Sequence, residues 1–148
     1  MNIDNQIIDY LDCTKAIKDE IFISNSIIDT LDFSFTSYDY YISIKNCQIT
    51  NLKIHSSWFK HGFSLEGSII QKEIKYEMGG HNDLPIELNG NIFCELVVFF
   101  DCHFFDKLVL KNNIFYQGTT VMGRLLLNTF QSGVMLKNNV GNLNVNHF

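Results

Sequence analysis

The chain has 148 residues, 46% of them hydrophobic and 14% aromatic, enough for one domain with its own core and too apolar for a disordered chain. The formal net charge is −5 and the 11 Lys and Arg residues form no cluster, so no nucleic-acid partner is expected. The N-terminus carries no signal-like run, and the longest apolar stretch, residues 96–105, contains Asp101 and is too short to cross a bilayer, so a cytoplasmic protein without a membrane partner is expected.

Residues 1–20 place apolar side chains at Ile3, Ile7, Ile8, Leu11, Ala16 and Ile17, a spacing closer to a helix than to alternation. This segment is expected to be a short N-terminal cap, because the open end of a stacked structure needs covering. From residue 21 the pattern changes. Apolar centres fall at Ile23, Ile28, Phe33 and Tyr38, then Ile44, Ile49, Ile54 and Phe59, then Leu65 and Ile70, in steps of 5, 5, 5 and 6 that close on a period of 21. A helix would need steps of three and four, so the period predicts a coil with four short sides.

Two positions before each centre lies a second inward position whose size alternates. Ile21, Leu31, Ile42, Leu52 and Phe63 are large, whereas Ser26, Thr36, Cys47, Ser57 and Ser68 are small. A narrow tube packed to crystalline density needs this alternation, since large residues cannot meet on every side. Asn25, Asn46, Gly67, Gly90 and Asn112 recur at one corner, where these residue types tolerate positive φ and where stacked Asn side chains can bond along the column.

Residues 77–85 hold two glycines, Asn82-Asp83 and the chain's single proline, and predict an inserted surface loop. The ladder resumes at Ile86/Leu88, Phe93, Val97/Phe99, Phe104, Leu108/Leu110 and Phe115, and beyond Gln117 strands persist in a looser register. The four cysteines, Cys13, Cys47, Cys94 and Cys102, have no metal-ligand spacing and are expected to be reduced, buried space-fillers.

Steps of five with Phe, Leu or Ile at the centre and a small residue two before it resemble the pentapeptide-repeat family. The residues that carry the likeness are Cys47-Gln-Ile49, Ser57-Trp-Phe59, Ser68-Ile-Ile70, Asn91-Ile-Phe93, Cys102-His-Phe104 and Asn113-Ile-Phe115. The resemblance implies a right-handed quadrilateral β-helix. The expected fold is therefore all-β: a right-handed parallel β-helix, or solenoid, of about six coils over residues 21–148, with a cap at 1–20. At ~4.8 Å per coil it would be roughly 30 Å long. An antiparallel jelly-roll sandwich is the alternative.

His55, His61, His81, His103 and His147 show no zinc-ligand spacing, and no hydrolase motif is present, so no catalytic residue, metal or cofactor is expected. One residue before the centres of one side lie Ile27, Gln48, Ile69, Ile92 and Ile114. If the centres point inward, these point outward, and Ile27, Ile69, Ile92 and Ile114 form an apolar stripe on a polar rod. The expected function is a non-enzymatic interaction module whose stripe binds a protein partner, with a second copy of the chain as one candidate. The alternatives are a carbohydrate-acting β-helix enzyme using the 77–85 loop, which would need perturbed carboxylates in a groove beside it, and an acidic DNA-mimicking regulator, which would need rows of stacked carboxylates.

Overall fold

The computed structural model describes residues 1–15 and 19–148. The chain winds as a parallel β-solenoid with four sides and, among the described residues, no helix. Side 1 is a seven-stranded sheet of β1 (Asn2–Asp4), β3 (Ile21–Ser24), β6 (Ile42–Lys45), β9 (Phe63–Glu66), β12 (Ile86–Asn89), β16 (Leu108–Lys111) and β19 (Val134–Lys137). Side 2 stacks β2 (Ile7–Asp12), β4 (Ile27–Asp32), β7 (Gln48–Lys53), β10 (Ile69–Ile70), β13 (Ile92–Phe93) and β17 (Ile114–Phe115). β2, β4 and β7 run on into side 3, which β11 (Ile74–Glu77) and β14 (Val97–Phe100) continue. Side 4 carries β5 (Ser37–Tyr38) with β8 (Trp58–Phe59), and β15 (His103–Phe104) with β18 (Thr129–Phe130).

Every strand pair is parallel, so the antiparallel sandwich is excluded. Between β3 and β19 the chain completes five turns, one fewer than the expected six coils, because the turn from Leu110 to Leu136 takes 26 residues while Ile23 to Ile44 takes 21.

The five-residue step works as a packing rule. The centres Ile23, Ile28, Phe33, Tyr38, Ile44, Ile49, Ile54 and Phe59 are all buried. Sides 1 and 3 bring in the second large residue (Ile21, Leu31, Ile42, Leu52) and side 2 the small one (Ser26, Cys47, Ser68), so opposite walls share the volume. Phenyl rings stack from coil to coil: Phe93 lies 4.9 Å from Phe115 and Phe104 5.5 Å from Phe130, with ring planes nearly parallel in both pairs. The corner column has the expected left-handed backbone at Asn25, Asn46, Gly67, Gly90 and Asn112. The opposite corner is left-handed too, at Phe35, Ser56 and Met78, residue types that give no such signal in the sequence.

Two segments differ from expectation. The N-terminal segment 1–20, expected as a cap of helical spacing, forms β1 and β2 over residues 2–12, which pair with β3 and β4 as a further coil; Ala16 and Ile17 lie outside the described residues. Backbone pairing to an existing sheet edge outweighs a weak local periodicity. Residues 77–85, expected as an inserted loop, carry the ladder across side 4: Gly80 bridges both Trp58 and His103. Asn82 is buried there, its amide donating to the carbonyls of Leu84 and Asp106 while its oxygen accepts from the N–H of Phe105.

Candidate interaction surface

The structure sets Ile27, Ile69, Ile92 and Ile114 in one outward column on side 2, in register through Gln48. Ile27 and Ile69 are exposed and Ile92 and Ile114 half-buried. The column extends beyond the residues expected from sequence: Ile7 pairs with Ile27 and is 85% exposed, and Val140 bridges Ile114 and is 62% exposed. Ile7 was hidden by the helical reading of its segment, and Val140 by the long last turn. The neighbouring outward column on the same side is polar where Thr50 meets Gln71.

Beneath the stripe, the small inward slots form a continuous hydrogen-bonded column. The backbone N–H of Cys47 donates to Ser68 Oγ, that of Ser68 to Asn91 Oδ1, that of Asn91 to Asn113 Oδ1, and that of Asn113 to Asn139 Oδ1. Each Asn amide also donates to a carbonyl of the preceding coil, Asn91 to Leu65, Asn113 to Leu88 and Asn139 to Leu110. Polar groups buried this deeply are tolerated because they are paired. The result is a rigid, flat backing for the apolar column.

Side 4 gathers the chain's tryptophan and two of its histidines. Trp58 stacks on His81 with ring centroids 4.0 Å apart and donates its indole N–H to the Met78 carbonyl. His81 meets Phe105 edge-on at 4.9 Å and His103 at 5.9 Å; burial, then His103 and Lys60, hold its imidazole below the ordinary value. His103 lies 3.2 Å from Asp101 and 2.8 Å from Thr129. In the sequence these histidines look dispersed; Trp58 and His103 each lie one residue before a side-4 centre and share a column through Gly80, but His81 falls one place later and carries no such signal.

At the corner between sides 3 and 4, His55 touches the Ser56 hydroxyl at 2.9 Å and the Glu77 carboxylate at 2.9 Å. The order of groups is that of a hydroxyl, a base and an orienting acid. The backbone N–H groups of Ser56 and Ser57, however, donate to the carbonyls of Glu77 and Ile54 and are not free to hold an oxyanion. The arrangement braces a left-handed corner, with Phe35 packed 5.1 Å from the imidazole.

Carboxylates with shifted pKa lie away from residues 77–85, on the N-terminal coils. Bonds from Ser24 and Asn25 lower Asp4, and bonds from Thr14 lower Asp12. Burial raises Asp32, but bonds from Ser34 and Tyr10 outweigh it and leave the group lowered. The columns mix their charges: Asp12 and Asp32 are followed by Lys53, and Ser24 by Lys45, Glu66, Asn89, Lys111 and Lys137. Among the described residues no group of three or more His, Cys, Asp or Glu could hold a metal, and no helix is long and apolar enough to cross a membrane.

In comparisons with known proteins, no family model, curated protein or solved structure matches this chain.

Proposed function

We propose that this solenoid is a non-enzymatic protein–protein interaction module that pairs side by side with a second copy of itself through side 2. The observation that carries this reading is the outward apolar column of Ile7, Ile27, Ile69, Ile92, Ile114 and Val140, which runs the length of the rod with one polar interruption at Gln48. Burial of apolar side chains drives association without any chemical step. A face about 30 Å long and about 10 Å wide offers roughly 300 Å² per partner, well below the ~800 Å² of a standard interface, so the pairing is weak and reversible.

The five-residue step and the four-sided coil support kinship with pentapeptide-repeat proteins and their right-handed winding. The cysteines support a cytoplasmic setting: Cys13, Cys47 and Cys102 are buried as packing residues, and burial raises each thiol above its ordinary value, Cys13 and Cys102 to about 12. Mixed charge columns weigh against DNA mimicry, and the engaged amides beside Ser56 weigh against hydrolysis.

Light scattering of the protein beside Ile69→Asp/Ile92→Asp tests the reading, with circular dichroism to confirm that both are folded. The expected result is a folded variant whose mass is lower than that of the wild type at the same concentration, by the share that side-2 pairing contributes. A variant that pairs as well as the wild type would refute the side-2 interface.

A further inference from the structure

The two ends of the rod match each other residue for residue. On side 1 the column runs Ile3, Ile23, Ile44, Leu65, Leu88, Leu110 and Leu136, and on side 2 it runs Ile7, Ile27, Gln48, Ile69, Ile92, Ile114 and Val140. The first and last coils therefore have the same spacing from strand to corner to strand. A coil 2–7 laid on a coil 135–140 aligns without a gap, with Asn5 over Asn138, both left-handed.

We propose that copies of this chain stack head to tail, β19 of one copy pairing in parallel with β1 of the next. Three independent features fit this occupant. First, both edges present unsatisfied strand pairing and half-buried apolar centres: Ile3, Ile8 and Leu11 at one end, Phe130, Val134 and Leu136 at the other.

Second, the charges are complementary. Residues 1–32 hold seven Asp and Glu against two Lys, a net −5, whereas residues 107–148 hold three Lys and one Arg with no Asp or Glu, a net +4. At the contact, Lys137 sits directly on Lys111 within its own copy and would meet Asp4 of the next. A repulsive pair at the end of one rod is thus relieved by the start of another.

Third, the buried polar column continues. Asn139 is the last of the amide residues that reach back to the preceding coil, and Gln6 holds the same slot in the first coil, its backbone N–H donating to Ser26 Oγ. In the free rod the Gln6 side-chain amide donates to the Asp4 carbonyl of its own coil; in the stack it turns to take the place each Asn amide occupies over the coil before it. Because this contact joins two different surfaces, it does not close on itself, and the product is an open stack. The contact does not depend on the side-2 pairing.

Charge reversal and mixing test it. Sedimentation velocity of the wild type is expected to show a mass that grows with concentration past that of a dimer and falls as salt is raised. Asp4→Lys places Lys against Lys, and Lys137→Glu places Asp against Glu, so each alone is expected to abolish growth, and an equal mixture to restore it. Oxidative cross-linking of Asn2→Cys mixed with Met135→Cys supplies a second measurement that leaves Asp4 and its bonds to Ser24 and Asn25 intact. Cross-linked heterodimer is expected from the mixture and not from either variant alone. Growth that stops at a dimer, a wild-type monomer at every concentration, or no cross-link from the mixture overturns the proposal. Ile69→Asp/Ile92→Asp is expected to keep head-to-tail growth, which separates the failure of one interface from the failure of the other.

Discussion

Asn113 shows how much one buried amide does in this fold. Its Oδ1 accepts the backbone N–H of Asn91 and its Nδ2 donates to the Leu88 carbonyl, joining two coils at a position with no solvent access. Asn113→Ala leaves both backbone groups unpaired inside the rod, where each orphan costs about 1–3 kcal/mol, so a loss of about 2–5 kcal/mol is expected in urea unfolding. Asn112, one residue earlier, is exposed at the corner and bonds to Asn89. Asn112→Ala forfeits mainly the left-handed tolerance of Asn, and about 1 kcal/mol is expected. Equal losses for the two variants would contradict the buried column. The sequence pattern shows that residue 113 is a small inward slot, because it lies two before Phe115. It does not show that the amide bonds backwards, since that depends on which carbonyl the preceding coil places beneath it.

At the scale of the element, the side-4 ladder depends on one close backbone approach. Gly80 has φ +89°, and a Cβ there would lie 2.3 Å from the carbonyl oxygen of His103, a rigid backbone atom. Gly80→Ala must push two rungs apart, and a loss of about 3 kcal/mol is expected in thermal or urea unfolding, with altered Trp58 fluorescence as the stack on His81 is displaced. Gly133 has the same φ of +89° and open space around it, so Gly133→Ala carries only the left-handed cost, about 1–2 kcal/mol. A Gly80 variant as stable as the Gly133 variant would show that the rungs tolerate separation. Two glycines beside Asn82-Asp83 and Pro85 read as a loop because turn residues and close-approach residues are the same types. Only the neighbouring coils decide which role they fill.

For the whole molecule, the uneven spread of charge makes acid sensitivity local. Asp4, Asp12 and Asp32 all have folded-state pKa values below the ordinary 3.8. A lowered folded value means that the unfolded chain binds more protons, so the stabilisation is complete above about 3.8 and is lost as pH falls below it toward the folded values. Hydrogen exchange is expected to show β1, β2 and β4 losing protection as pH drops through that window, while amides around Asn91 and Asn113, remote from any shifted carboxylate, hold theirs. Uniform loss along the rod would mean that the coils melt as one unit rather than from the acidic end, contrary to nearest-neighbour coupling in a solenoid.

The coil follows from the residue pattern. A five-residue step with alternating large and small partners has one efficient packing, so the inward residues, the outward isoleucines and the Asn/Gly corner were all legible from residue 21 to residue 115. Features that depend on contacts between coils emerge only once the coils are stacked. Residues 2–12 become strands because an open sheet edge pairs them, although their local spacing is nearly helical. Trp58, His81 and His103 form one cluster because register, not sequence separation, sets which outward side chains are neighbours. The match between the two ends arises in the same way: Asp4 and Lys137 occupy one column only after every intervening turn has been counted, and turn length varies with the corners.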